Sequence, residues 1–599
     1  MKNLLIIIPL IVFLSPAFAK ARIDSDVSSF LSLKQQAQPA PLSLIVFLHS
    51  VAGKRQFIED ISKYPEVKIQ ELDFMPAVTV RMPADIELFQ ELSNHHAVAQ
   101  ISSYQSGTQE LDITAQAIKL APSLYYPDVK NWWAHGYTGS QGIIGLIDDG
   151  VDPDHPILAD KHLRVRKEEG SRYADYQNGV RTAHGTGIAC IYSSTDPQYK
   201  GIAYGAKTIV SGLSGEETAD MKNIMLSLST LDWMLKRSGM RPTIINYSIG
   251  NGALSCPNCT DWSGLAKVID YVVNHEKILW VKSAGNEGYI EPTSQLPYAS
   301  KLTVPGDNYN ALTIANMDTV TFDKGLKYKT PNRELHFIHS TSSRGPTPFG
   351  RRKPDLSAPG FATRTCAPDP RTYGFNYPAA MDYREGFRLM GGTSSAAPHV
   401  GASALLVQDA GIKNPMAVKA LLINSADAWS DNGQANPFSG TIMNHFPVMG
   451  SEWNRTYGWG YLNMQTAFEQ RMNIIESQLS AENPVQEFHA QLDIGEKLTL
   501  VHERRVGYFK DSTEWRLSHL VLELIDLDSH KIIAKDDSSI DTVHQVANCV
   551  RATGQRECST STKSLRALVR VKLLNPSIDG SPTEPFALVL RIKKQKASS

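Results

Sequence analysis

Four short segments carry the side chains needed to break an acyl bond. They are Ile147-Asp148-Asp149-Gly150, His184-Gly185-Thr186-Gly187, Ser283-Ala284-Gly285-Asn286-Glu287-Gly288 and Gly392-Thr393-Ser394-Ser395-Ala396-Ala397-Pro398. A hydroxyl attacks a peptide carbonyl only if a base takes its proton and donors hold the oxyanion that forms. Imidazole suits the first task near neutral pH. A buried carboxylate fixes its tautomer and stabilises the imidazolium. Ser394, His184 and Asp148 supply that set, while the Asn286 amide and the Ser394 N–H supply oxyanion donors. Taken singly, each has an ordinary reading as a turn aspartate, a surface histidine or a helix-capping serine. The four together, in this order and with these small-residue flanks, are specific.

Such side chains converge only if the fold gathers them at one edge. Residues 113–472 alternate buried strands with helices, the pattern of a doubly wound parallel α/β sheet. Segments 142–147, 243–248 and 278–281 are apolar on both faces, as central parallel strands are. Segments 221–236 and 265–274 read as crossover helices. Asp148 ends a strand, so its carboxylate emerges at the carboxyl edge of the sheet, where ligands bind. The glycines after His184 suit a helix packed closely on that sheet. Ser394 opens another helix, with Pro398 expected in its first turn and Gly411 marking its end. Its N–H then points outward, free for an anion. Asp149 should project to the side opposite Asp148, and Ser395 should sit about 100° further round its helix than Ser394.

The order Asp, His, Asn, Ser resembles the subtilisin-like serine proteases, or subtilases. The resemblance runs through Asp355-Leu356-Ser357-Ala358-Pro359-Gly360 and Tyr457-Gly458-Trp459-Gly460. It implies that Asp148, His184 and Ser394 form the triad and that Asn286 is the oxyanion amide. Loss of that amide in subtilisin costs on the order of 10²–10³ in turnover. The resemblance also implies that substrate binds as an added β-strand along Ser248-Ile249-Gly250, with Ala284-Gly285-Asn286 as a pocket wall. Asp-Asp-Gly resembles the kexin branch, in which the second carboxylate lines a substrate pocket. Asp149 would then favour a basic residue one position before the scissile residue; a solvated carboxylate or turn former is the other reading. Gly187 stands where many subtilases have a second histidine. His155-Pro156-Ile157-Leu158 carries isoleucine where many have a calcium-binding aspartate, so that site is expected to be absent. The chemistry requires no cofactor, no residue is assigned to a metal, and calcium is left open without a site.

Residues 43–104 read as β-α-β-β-α-β, with strands at 44–48, 67–72, 77–82 and 98–101 and helices at 57–64 and 85–92. This resembles the inhibitory propeptide of subtilases; an ordinary accessory domain is the alternative. The propeptide is expected to span 20–112, with a maturation cut within 102–114. Residues 1–19 read as an export signal: Lys2, an apolar run at 4–14, and Ala17-Phe18-Ala19 as the cleavage site. No later segment is apolar long enough to span a bilayer. From 480 to 599 the chain changes style, and segments 485–501, 520–527, 564–573 and 586–592 read as an antiparallel β-sandwich.

Six cysteines fit an exported protein. Cys549 and Cys558 bracket a loop they could staple. Cys256 and Cys259 read as a local disulfide rather than half a zinc site. Cys190 reads as a small buried thiol, and Cys366 has no assignment. Sixty Lys and Arg against 61 Asp and Glu give no global attraction for nucleic acid. The expectation is a secreted (extracellular or periplasmic), monomeric serine endopeptidase acting on proteins or peptides through an acyl-enzyme. It would be made as a self-processed zymogen, with its own propeptide as intramolecular inhibitor. The alternative is a secreted binding or adhesion protein whose protease domain is inert or cleaves only itself.

Overall fold

The computed structural model describes residues 22–23, 42–83, 85–103, 108–109, 115–123, 125–153, 155–166, 184–197, 199–214, 226–250, 261–288, 301–323, 326–329, 332–367, 387–431, 445–506, 517–552, 555–560, 562–576 and 583–591. The expected signal and the Cys256–Cys259 pair lie outside them.

Five strands near the N-terminus form one sheet: β1 (Arg22–Ile23), β2 (Leu42–Leu48), β3 (Lys68–Leu72), β4 (Ala77–Met82) and β5 (Val98–Ser103), in the order β1-β5-β2-β4-β3. Helices α1 (Val51–Ile61) and α2 (Ile86–Asn94) cover one face through Phe57, Ile61, Leu88, Phe89 and Leu92. Helix α1 begins earlier than the apolar spacing suggests, because the Ser50 hydroxyl accepts from Gly53 N–H and caps it. Strand alternation puts Leu44 and Val46 under these helices and turns Ile45 and Phe47 to the opposite face. A two-residue strand, β6 (Thr108–Gln109), follows.

The central sheet has nine strands: β7 (Ile143–Asp148), β8 (His162–Val165), β9 (Thr208–Leu213), β10 (Ile244–Tyr247), β12 (Leu279–Ser283), β13 (Leu312–Asp318), β16 (Phe337–Ile338), β17 (Leu356–Cys366) and β18 (Phe387–Gly391). Between them lie β11 (Ile249–Gly250), which pairs antiparallel with β6, and the hairpin β14 (Val320–Asp323)–β15 (Leu326–Lys329). The order β18-β17-β13-β12-β10-β7-β9-β8 is parallel from β17 to β8; β18 pairs antiparallel with β17, and β16 antiparallel with β13. The sheet is therefore mixed at one end, not purely parallel.

From β7 the chain winds to β8 and β9 on one side, then returns to β10 on the other. The reversal between β7 and β10 opens a crevice at their carboxyl ends. Both faces are covered, which is why these strands are apolar throughout. Ile144, Leu146 and Ile244 meet α3 (His184–Ser193) and α6 (Thr393–Asp409), whereas Ile147 and Ile245 meet α4 (Leu226–Lys236) and α5 (Gly264–Tyr271). The free face of the N-terminal sheet packs on α4 and α5 through Ile45, Phe47, Leu72, Phe74 and Met75.

Helix α7 (Pro415–Ser425), the hairpin β19 (Trp429–Asp431)–β20 (His445–Pro447) and helix α8 (Met464–Gln470) lead to the C-terminal strands. These are β21 (Ile474–Ser480), β22 (Val485–Leu492), β23 (Lys497–His502), β24 (His519–Asp526), β25 (Ile532–Asp536), β26 (Val543–Ala547), β27 (Leu565–Asn575) and β28 (Thr583–Val589). They form two antiparallel sheets, β21-β28-β23-β26 and β22-β27-β24-β25, around one shared apolar core. The segment 485–501 expected as strand is two strands, broken by a turn at Gly495 with φ +80°. The first sheet packs on α7 through Val501, Val543, Ala587 and Val589.

Candidate active site

Asp148 is the last residue of β7 and 1% exposed. One carboxylate oxygen hydrogen-bonds His184 Nδ1 and also accepts from Asp149 N–H at 2.9 Å. His184 is the first residue of α3 and is buried. Strand β7 stops at Asp148, and Gly150 turns the chain at φ +107°. Asp149 therefore does not continue the alternation of the strand. Its two oxygens accept from His184 N–H at 3.1 Å and Gly185 N–H at 2.7 Å. It anchors the start of α3 while remaining part-exposed. Burial, together with the charge on Asp148, pushes its carboxyl up to about 6 against the pull of His184 and the two N–H groups. The small residues after His184 are needed: a Cβ on Gly185 would lie 2.1 Å from Gly150 O, and one on Gly187 would lie 2.2 Å from Met390 Sδ.

Ser394 is the second residue of α6 and fully buried. Its Oγ donates to Ser248 O at 2.7 Å, and Ser248 Oγ donates back to Ser394 O at 2.7 Å. The second bond follows from Pro398. It lies inside the helix, not in the first turn as expected, and has no N–H for the carbonyl four residues earlier. The Ser394 carbonyl is thereby released to Ser248. Ser394 Oγ thus rests on the Ser248 carbonyl rather than on the imidazole. Ser395 Oγ is buried with no hydrogen-bond partner.

Asn286 is tied to the same helix. Its Oδ1 accepts from Thr393 N–H at 3.1 Å and Thr393 Oγ1 at 3.3 Å, while Thr393 Oγ1 accepts from Gly285 N–H at 3.1 Å. That leaves Nδ2 as a donor beside the Ser394 N–H, which has no intrahelical carbonyl to reach. Helices α3 and α6 pack side by side, so the imidazole and hydroxyl come from adjoining helix starts.

Ile249 and Gly250 form β11, and Ala284 and Gly285 follow β12. Edge strand β11 is taken by β6, with Ile249 opposite Gln109 and Gly250 opposite Thr108.

Cys190 is not a free thiol: it is bonded to Cys366, 176 residues away, at a Cα–Cα distance of 5.9 Å. This bond joins the helix that carries His184 to β17, whose hairpin partner β18 leads into Ser394. Thr365 Oγ1 adds a 2.6 Å bond to Gly187 O. Cys549 and Cys558 are also bonded.

Among the described residues, two groups of three potential metal ligands converge. Asp148, Asp149 and His184 are engaged as above. In His155, Cys190 and Cys366 both sulfurs are oxidised, so no thiolate is available. The residues that sequence reasoning missed are Thr393, the Ser248–Ser394 exchange and Cys366. Only the carbonyl released by Pro398 could have signalled the exchange.

A model of the subtilase family matches residues 139–460, over half of the chain. Serine protease AprX of Bacillus subtilis (strain 168) is 25% identical over 301 residues, covering 49% of this chain and 63% of its own length. Bacillopeptidase F of the same organism is 26% identical over 308 residues, covering 47% of this chain and 18% of its own length. Fervidolysin from Fervidobacterium pennivorans, described as a keratinolytic enzyme related to subtilisin, superposes with a TM-score of 0.50 at 14% identity. That superposition covers 93% of this chain and 78% of fervidolysin, and it bears on the fold alone.

Proposed function

The chain belongs to the subtilase family, and from that premise we propose that it is a secreted serine endopeptidase working through Asp148, His184 and Ser394. The observation that carries this reading is the buried Asp148–His184 pair at the β7/β10 reversal, across from Ser248, whose carbonyl holds Ser394 Oγ. Asp148 binds Nδ1–H, which leaves Nε2 as the basic nitrogen. Turning Ser394 Oγ from Ser248 O to Nε2 readies it to attack a carbonyl. The oxyanion then meets Asn286 Nδ2 and Ser394 N–H. Asp149 positions the imidazole through the two helix N–H groups. Each of its oxygens keeps a lone pair beyond these bonds, and Asp149 is part-exposed, so a pocket favouring a basic residue one position before the scissile residue stays in this proposal; equal cleavage of peptides with Lys or Ala there would remove it.

The N-terminal unit is the propeptide in this proposal, and the C-terminal sheets are an appended β-sandwich. Support comes from β6 lying on β11, where a substrate strand would add, and from burial of Ser394 at 0% and His184 at 2% exposure. Both suit a precursor cut within 102–114. The resting position of Ser394 Oγ would also suit the second reading, an inert or self-cleaving-only domain in a binding protein.

The test is N-terminal sequencing of the exported wild type and Ser394→Ala, with casein hydrolysis and fluorophosphonate labelling. Wild type should start beyond residue 102, label at Ser394 and hydrolyse casein. Ser394→Ala should keep its N-terminal unit and lose on the order of 10⁶-fold in turnover. Casein hydrolysis by pure Ser394→Ala would show that the nucleophile is misassigned. A processed wild type that neither labels nor cleaves would favour the inert domain.

A further inference from the structure

We propose that His502 and His544 form an acid-sensitive latch that closes the C-terminal sheets against each other where they meet the central unit. The two imidazoles are buried, at 1% and 0% exposure. Their Nε2 atoms lie 3.4 Å apart, their ring centroids 5.5 Å apart, and their planes within 13° of parallel. The nitrogens are closer together than the rings, so the imidazoles meet head to head and not face to face. Such a pair can share one proton between its Nε2 atoms, but cannot seat one on each.

The pair ends a chain of contacts drawn from four segments. His502 closes β23 opposite Phe586, and His544 sits in β26 two residues from Val546, so both point into the core between the two sheets. Strand β25 of the other sheet brings Asp536, which faces His544 Nδ1 at 3.4 Å and accepts from Gln545 N–H at 3.1 Å. Asp536 also accepts from Arg352 Nη2 of the central unit at 3.2 Å. The carboxylate keeps a proton on His544 Nδ1, and it joins one sheet to the other and both to the central unit.

The surrounding charges discourage a second proton. Burial and the charge of His544 hold His502 well below the ordinary imidazole range, against the Asp541 carbonyl; Lys419 of α7 and His519 of β24 add to the depression. The nearby acids are engaged elsewhere: Glu503 by Asn274 and Lys277, Glu584 of β28 by Ser518 and Arg505, Glu523 of β24 by Arg570 and Lys572, and Asp541 by Arg352. An unfolded chain protonates both histidines below about 6.5, whereas the closed sheets keep His502 neutral. The stability this gives is present above that value and is lost as pH falls from it towards the folded value. Hydrating a second imidazolium parts the two sheets and draws Asp536 from Arg352.

The test uses the full-length Ser394→Ala chain, so that self-digestion does not intrude. Opening at residues 497–502, 532–536 and 543–547 is read by amide hydrogen exchange, corrected for intrinsic rates, from about pH 7.5 to about pH 5. The opening constant should rise on the order of tenfold per pH unit below about 6.5. His502→Gln and His502→Leu should each flatten that slope, and His519→Gln should keep it. Histidine ring resonances, assigned through the same variants, should show His502 neutral in the folded chain at about pH 5.5. An opening constant that ignores pH, a slope that survives in either His502 variant, or two charged imidazoles in the folded chain overturns the latch. The first and last of these need no variant, and none touches the proteolytic reading.

Discussion

The central unit is gripped at two places, and the two grips are built on opposite electrostatic principles. On α4 and α5, the N-terminal sheet docks an apolar face around a buried carboxylate. Asp232 accepts from Phe74 N–H at 3.2 Å and from Asp73 N–H, while Arg237 pairs with Asp73. Burial, with the charge of Asp73, pushes the Asp232 carboxyl up to about 6 against the pull of Arg237 and the two N–H groups, so the docked state favours its protonated form. On α7, the C-terminal sheet adds Val501, Val543, Ala587 and Val589 to the core of the central unit. Beside it Arg352 pairs with Asp536 and Asp541, and Thr542 Oγ1 donates to Tyr309 O at 3.1 Å. Burial pushes the Asp536 carboxyl up, but His544 and Arg352 outweigh it and hold it well below the usual range. Ionisation supports this second grip. The difference separates a contact suited to release from one suited to permanence.

The largest break in that contrast is deletion of residues 474–599. Uncovering α7 removes three buried valines and an alanine, at about 1.5–3 kcal/mol per large side chain. The sum is comparable to the whole stability of a domain. The shortened chain should be insoluble or lack a cooperative melt by circular dichroism; a truncated chain that melts sharply would place the second grip on a par with the first. A smaller loss is expected for Arg352→Ala, about 2 kcal/mol by urea unfolding, since it strands two partly buried carboxylates.

The smallest effect, and the sharpest, is one of sign. Asp232 is raised above 3.8, so the docked state takes up a proton as pH falls through about 6, and the N-terminal grip tightens. That stabilisation is lost as pH rises through 6. Asp536 is lowered, so its contribution is present above the ordinary carboxylate range and is lost as pH falls through its folded value. In the Ser394→Ala chain, limited proteolysis should release the N-terminal unit more readily at pH 7.5 than at pH 5. Asp232→Asn should flatten that dependence. A slope of the same sign at both grips would dissolve the distinction.

Much of the central unit was legible because its strands are buried on both faces, so apolar runs such as 143–147 mark them directly. The candidate site was legible because Asp148 and Ser394 sit at element ends, where the sequence reading placed them. What was hidden had two causes. Where a residue answers to a distant partner, spacing is silent: Cys190 lies 176 residues from Cys366 in sequence. Where a terminus was misplaced by a few residues, geometry changed. Helix α6 opens at Thr393, so Pro398 fell beyond its first turn; β7 does end at Asp148 as expected, but the turn at Gly150 folds Asp149 back onto α3 instead of letting it project to the opposite side. In the C-terminal sheets, β26 escaped notice because His544 and Gln545 are buried within it, and β25 because Ile532 and Ile533 are exposed. Both break the alternation that identifies strands.

The Cys190–Cys366 link has a further consequence for where this molecule can safely reach working order. A disulfide forms and persists only where thiol reductants do not hold cysteines open. In a reducing cytosol the helix bearing the imidazole would be joined to the strand pair leading to the hydroxyl, among the described residues, by packing and the Thr365 bond. The covalent brace closes only where such reductants are absent, so the surroundings in which the chain folds decide how rigid this joint becomes.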